Sequence, residues 1–101
     1  MKITDAQVER VRALVASIPP GRVATYGDIA CAAALSSPRI VGWIMRTDSA
    51  DLPWHRVIRA TGRPAAHLQS DQLELLRAEG VLADDGRVPL TDGLRHDFGQ
   101  P

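Results

Sequence analysis

Thr25-Tyr26-Gly27-Asp28-Ile29-Ala30-Cys31-Ala32-Ala33-Ala34-Leu35-Ser36-Ser37-Pro38-Arg39-Ile40-Val41-Gly42-Trp43-Ile44-Met45-Arg46 is the stretch on which the fold turns. Thr25 reads as an N-cap, because its hydroxyl can accept from the free N–H groups of a first helical turn, and Asp28 stands three residues on. A compact helix through about residue 34 follows. Leu35-Ser36-Ser37-Pro38 is a short turn, and Pro38 suits the first position of a new helix, where its missing N–H costs nothing. That second helix carries Ile40, Val41, Ile44 and Met45 inward, with Arg39 at its beginning and Gly42 and Trp43 in its middle. Two short helices joined by a tight turn, the second begun by a basic residue, form a helix-turn-helix pattern. Many small helical domains share it, so the pattern suggests an architecture and leaves the function open.

Upstream, Thr4-Asp5-Ala6-Gln7 opens a capping-box-like pattern, and Val8, Val11, Leu14, Val15 and Ile18 recur at helical steps, giving a helix over about 5–17. Pro19-Pro20-Gly21 stops it, and Val23-Ala24 forms an extended link. Downstream, Thr47 to Asp51 is a polar loop, Arg56-Val57-Ile58-Arg59 alternates as a strand does, and Thr61-Gly62 marks a turn. A second short strand or an irregular wing is expected at 63–67. A helix with Leu73, Leu75 and Leu76 then runs over 70–79, capped by Ser70 and ended by Gly80. Val81-Leu82 and the Asp85-Gly86-Arg87-Val88-Pro89 segment read as loop and short hairpin, and an irregular tail is expected beyond Thr91. The fold class is mainly α with a small β wing, a winged helix-turn-helix-like single domain over 1–101.

The composition fits a globular chain, with 45% apolar and 24% charged residues in 101. No apolar run approaches the roughly 20 residues of a bilayer span, and no apolar secretory signal precedes the first helix, so a cytoplasmic location is expected. The single cysteine, Cys31, excludes an intramolecular disulfide and a cysteine-based zinc cluster. Its neighbours Ile29, Ala30, Ala32 and Ala33 suggest a buried structural thiol. Formal net charge is zero, but residues 22–69 hold six bases and three acids, and residues 70–101 three bases and seven acids. A basic middle beside an acidic tail can bind phosphate locally, with weak long-range steering.

The chemistry is concentrated in Leu52-Pro53-Trp54-His55-Arg56-Val57-Ile58. Together with Ile18-Pro19-Pro20-Gly21-Arg22-Val23-Ala24-Thr25-Tyr26-Gly27-Asp28-Ile29-Ala30, then Pro38-Arg39-Ile40-Val41-Gly42, and finally Leu75-Leu76-Arg77-Ala78-Glu79-Gly80, it resembles the DNA-binding domain of the O6-alkylguanine-DNA alkyltransferases over roughly residues 5 to 82. Those enzymes keep an acceptor cysteine in a Pro-Cys-His-Arg-Val sequence, and Trp54 stands in its slot. A thiolate takes an alkyl group from guanine, whereas an indole nitrogen at neutral pH only donates a hydrogen bond. Tryptophan there points to the alkyltransferase-like proteins, which resemble the domain without transferring the alkyl group.

The resemblance implies a set of roles. Arg39 matches the arginine that enters the duplex from the recognition helix and fills the gap left by an extruded base, a role that suits a planar, permanently charged guanidinium. Tyr26 matches the tyrosine that presses on the phosphate beside the target nucleotide and helps to rotate it out. Gly42 and Arg46 join them as DNA-binding residues. Pro53, Trp54, His55, Arg56, Ala65 and Ala66, with Tyr26, are expected around the lesion pocket. His55 and Glu79 match the enzymes' relay and are expected to persist as a structural hydrogen bond, with Arg56 holding the motif loop. From local sequence alone, Arg39 also fits a solvated helix start and Tyr26 a half-buried ring. Trp54 either fills the pocket or walls it; its place in the motif favours the wall.

Two departures matter. The spacing from Tyr26 to Arg39 is one residue shorter than the family's, which demands a tighter turn at 35–37. The segment after Gly62 reads Arg63-Pro64-Ala65-Ala66-His67 and is shortened, with alanines that leave the pocket wide and a histidine expected on a solvated wing. The expected function is non-enzymatic recognition of O6-alkylguanine in double-stranded DNA by minor-groove binding and base flipping, with nucleotide excision repair proteins as implied partners. The chain is expected to act as a monomer, nucleoid-associated when bound, with no cofactor, metal or membrane. The competing readings are a winged-helix transcription regulator, an active alkyltransferase using Cys31, and a hydrolase using His55.

Overall fold

The computed structural model describes residues 2–64 and 68–99. Helix α1 (Asp5–Ala16) starts on a full capping box, in which the Thr4 hydroxyl accepts from the Gln7 N–H and Gln7 Oε1 in turn accepts from the Thr4 N–H. Strand β1 (Ala24–Thr25) leads directly into α2 (Tyr26–Ala32), whose N-terminus is a second reciprocal box between Thr25 and Asp28. Helix α3 (Pro38–Thr47) has Ser37 as N-cap and Pro38 in its first turn. A single 3-10 turn at Trp54–Arg56 then feeds β2 (Val57–Ile58), and α4 (Gln69–Ala78) closes the family-like portion.

The turn between α2 and α3 is tight and has a visible cost. Ala34 takes a left-handed conformation with φ of 57°, which lets the Leu35 N–H return to the Ala30 carbonyl at 2.8 Å. An L-residue pays roughly 1–2 kcal/mol for that geometry. The close α2–α3 pairing is its return, because Ile29, Ala30, Ala33, Ile40, Val41 and Ile44 all enter one core with Val11, Val15 and Ile18 of the α1 region.

Strand β2 finds its partner in β1, in parallel, with Ala24 opposite Val57 and Thr25 opposite Ile58. Of the two alternatives at 63–67, a short strand or an irregular wing, Arg63 and Pro64 follow the irregular one, and Ala65, Ala66 and His67 lie outside the described residues. Parallel strands need a long crossover, and here α2 and α3 supply it. Because successive strand residues face opposite ways, Ala24 and Val57 join the main core while Val23 and Ile58 join a second cluster with Leu76, Val81 and Val88. Two residues per strand thus stitch the helix-turn-helix to α4.

Other expectations also change. Ser70 lies within the first turn of α4, and the N-cap position is Leu68, with no side-chain cap. Cys31 is exposed: Ile29, Ala30 and Ala33 set the inward face of α2, which turns residue 31 outward. The tail beyond Thr91 is irregular yet docked, with the Val23 N–H donating to Leu94, the His96 N–H to Val23, and Phe98 packed on the main core. No helix among the described residues is long and apolar enough to cross a membrane.

Gly62 shows how tightly the second cluster is closed. Its φ is +80°, and a Cβ there would lie 2.3 Å from the Val88 carbonyl oxygen, while the Val88 N–H donates to the Gly62 carbonyl at 2.8 Å. Gly62→Ala is expected to lower the unfolding free energy by about 2 kcal/mol, from a strained left-handed backbone and a forced shift of that bond. Urea denaturation measures it.

Candidate nucleic-acid interface

The outer face of α3 and the start of α2 border an open groove of about 1100 Å³. Tyr26, Arg39, Gly42, Arg46 and Trp54 all line it, so the helix-turn-helix and the motif loop converge on one cavity. Trp54 is half-buried and forms part of the wall, leaving the groove open. Arg39 is exposed, and its side chain makes no hydrogen bond or ion pair among the described residues. Tyr26 is half-buried; burial raises its phenol above the ordinary value, against the opposing fields of Arg59 and Arg46. The hydroxyl therefore stays protonated at neutral pH and can donate to a phosphate oxygen.

Pro53, His55 and Arg56, expected around the pocket, are not among the groove-lining residues. The reason is local. In a 3-10 turn successive side chains diverge by about a third of a revolution, so Trp54 meets the groove while its neighbours leave it. His55 Nε2 lies 2.7 Å from Glu79 Oε2, and Arg56 donates from Nη2 to the same oxygen at 2.7 Å and from Nε to Oε1 at 3.1 Å. Arg56 Nη1 reaches the Ile18 carbonyl at 2.9 Å, and the Gly21 N–H donates to Glu79 Oε1 at 3.3 Å. Glu79 so joins the turn that follows α1, the motif and the end of α4. The Arg56 hydrogen bonds, then His55 and Gly21, hold its carboxyl at about 2, overcoming the effect of burial.

Sequence reading missed several groove residues. Gln72 is buried on α4; its Nε2 donates to the His55 carbonyl at 3.0 Å and the Val57 carbonyl at 2.7 Å, fixing the backbone on either side of Arg56. The available signal was its place one turn before Leu76, on the inward face. Arg59, Met45 and the loop 47–51 also border the groove. Arg12 clamps that loop from α1, donating to the Asp48 carbonyl at 2.8 Å and to Asp51 Oδ2 at 2.6 Å, a contact 39 residues apart that no local pattern announces. Ala65 and Ala66 lie outside the described residues.

On the far side of α2, Arg95 pairs with Asp28, the residue that closes the capping box spanning Tyr26. Burial works against the Asp28 charge, but hydrogen bonds from Arg95 and Thr25 outweigh it and hold the carboxyl below its ordinary value. Cys31 sits in a small cleft with these groups, away from the residues that line the main groove.

Known proteins resemble this arrangement. Residues 6–81 match the family model of the 6-O-methylguanine DNA methyltransferase DNA-binding domain. The DNA base-flipping protein of Escherichia coli (strain K12) is 37% identical over 97 residues, spanning 89% of this chain and 74% of that protein. The crystal structure of S. pombe Atl1 in complex with damaged DNA containing O6-carboxymethylguanine matches with a TM-score of 0.79 and 29% identity, over 95% of this chain and 99% of that one. Mycobacterium tuberculosis O6-methylguanine methyltransferase matches with a TM-score of 0.64 and 28% identity, over 92% of this chain and 56% of the longer protein. From its capped helix-turn-helix to the glutamate that anchors its motif loop, the chain belongs to the family of the 6-O-methylguanine DNA methyltransferase DNA-binding domain.

Proposed function

We propose that this protein recognises O6-alkylguanine in double-stranded DNA without repairing it, by extruding the damaged nucleotide into the groove beside Trp54. The observation that carries the reading is the groove itself: it is open, it is bordered by Tyr26 and Arg39, and where an alkyl acceptor would stand it presents an indole. Such a wall stacks on a base and offers an apolar face to an alkyl group, and it can form no bond to carbon by displacement. The base-flipping relative and the Atl1 complex with damaged DNA support the same reading. Flipping costs a few kcal/mol, least for a base whose pairing is already damaged, and this difference supplies part of the selectivity.

In this reading α3 enters the minor groove, Arg39 occupies the vacated place in the stack, and Tyr26 donates to the adjacent phosphate, with Gly42 and Arg46 completing the contact. His55, Arg56 and Glu79 hold the motif loop from behind. The protein acts as a monomer in the cytoplasm, nucleoid-associated when bound, and the bound site is passed to nucleotide excision repair proteins.

One titration tests the core of this. A single duplex carrying guanine or O6-methylguanine at one position is expected to bind the lesion form at least tenfold more tightly; equal affinities sink the proposal, and a preference among undamaged sequences assigns the chain to transcriptional regulation. Labelled methyl appearing on the protein, or methanol released with turnover, establishes an enzyme instead. Trp54→Ala is expected to cost about tenfold on O6-alkylguanine duplexes, the scale of one lost base stack, with little change on plain DNA. An equal loss on both assigns Trp54 a purely structural role.

A further inference from the structure

Trp43 is 44% exposed on α3, an unusual position for a large aromatic ring on a soluble helix. Its carbonyl accepts the Thr47 hydroxyl at 2.9 Å, an ordinary helical contact that gives no reason for the ring. The residue's placement does. Ile40, Val41 and Ile44 define the buried face of α3, and the opposite face carries Arg39, Gly42, Trp43 and Arg46. At about 100° per residue, Met45 lies roughly 120° from Arg39 on one side of the helix and Trp43 roughly 40° from it on the other. Gly42 and Met45 line the groove beside Trp54, and Trp43 does not. The arginine pair thus stands between two flanks, one facing the groove and one bearing the indole.

We infer that Trp43 packs against the strand complementary to the lesion, its indole lying on the deoxyribose wall of the minor groove opposite the extruded nucleotide. The inference rests on the proposed function, because it takes α3 as the element in the minor groove. If the groove beside Trp54 receives the extruded nucleotide, the strand carrying it runs along the Gly42 and Met45 flank. The Trp43 flank then meets the other strand. The indole suits that surface, since its face covers the C–H groups of a sugar while Nε1–H donates to a phosphate oxygen. Charge favours nucleic acid over a protein partner. Pro38–Thr47 contains Arg39 and Arg46 and no acid, and the nearest acid in sequence, Asp48, is already paired with Arg12. Holding the complementary strand keeps the gap open for Arg39 and steadies the duplex while one nucleotide is outside the stack.

The test uses the full chain and one oligonucleotide containing O6-methylguanine, offered as a duplex and as a single strand. Trp43→Ala is expected to weaken duplex binding about tenfold, the scale of one aromatic contact, while changing single-strand binding less than twofold. Trp43→Phe, which keeps a ring, is expected to recover most of the duplex affinity. In a Trp54→Phe background, where Trp43 is the only tryptophan, its emission is expected to shift to the blue on duplex and stay unshifted on the single strand. An equal loss on duplex and single strand overturns the inference, as does a duplex affinity that Trp43→Ala leaves unchanged; the second result assigns the ring to a protein partner. The parent reading fails differently, through wild-type protein that binds guanine and O6-methylguanine duplexes alike, and that result leaves the duplex-only effect of Trp43→Ala readable on both.

Discussion

Arg39→Ala is expected to weaken binding to an O6-methylguanine duplex by about a hundredfold, or roughly 2.7 kcal/mol, while leaving the folded protein as stable as before. The loss of binding follows from the proposed role of Arg39, and the unchanged stability from the structure. The guanidinium is exposed and makes no side-chain bond among the described residues, and the helix start depends on Ser37 Oγ accepting from the Arg39 backbone N–H, which alanine retains. Nothing in the fold is removed. In the proposed complex, the side chain replaces a base in the stack, so its loss forfeits a stacking plane, a permanent charge and the filled gap together. Arg39→Lys separates these, since an ammonium keeps the charge without the plane; an intermediate affinity with an unchanged salt dependence is expected. Fluorescence anisotropy at two salt concentrations gives both numbers. Unchanged affinity in Arg39→Ala refutes the gap-filling role.

The second large effect concerns stability. Glu79→Gln is expected to lower the unfolding free energy by roughly 3 kcal/mol, because it leaves the part-buried Arg56 guanidinium without its anion. The same carboxylate sets an acid limit. Its folded value is about 2 against an ordinary value of 4.5, so the folded state prefers the charged form. The contribution is fully present above about pH 4.5 and is lost as pH falls towards and through 2, since protonation is then no longer confined to the unfolded chain. A shift of this size corresponds to at most roughly 3 kcal/mol. Urea melts at pH 7, 4 and 2.5 are expected to converge for wild type and Glu79→Gln as pH drops. A constant difference between them removes Glu79 as the source of acid sensitivity.

How much of this was legible depends on the range of the forces involved. The first three helices were readable because their starts are local: Thr4 with Gln7 and Thr25 with Asp28 are bonds within one turn, and Pro38 fits the first turn of α3 because it has no N–H to satisfy. The β1–β2 pairing was not, because a two-residue strand has no periodicity and its partner lies 33 residues away in the chain. The exposure of Cys31 was misread because small alanines on every side gave the helix no hydrophobic phase. Gln72 was passed over as polar, although burial is what makes its two carbonyl contacts matter. Arg12 and the docked tail were invisible for the same reason as the sheet: contacts across dozens of residues are decided by the finished fold.

The motif could be placed on one surface from sequence, but its division of labour could not. Only the 3-10 turn separates the side chain that faces the groove from the two that grip Glu79. The Trp54 side chain consequently stands outside the hydrogen-bonded framework that holds it, meeting that framework edge-on at the His55 ring. The loop behaves as a socket, wired for orientation by its neighbours, into which a reactive or an inert side chain can be fitted with the same support beneath it. In the proposed reading, a scaffold built this way keeps the grip on the loop separate from the side chain that meets the base.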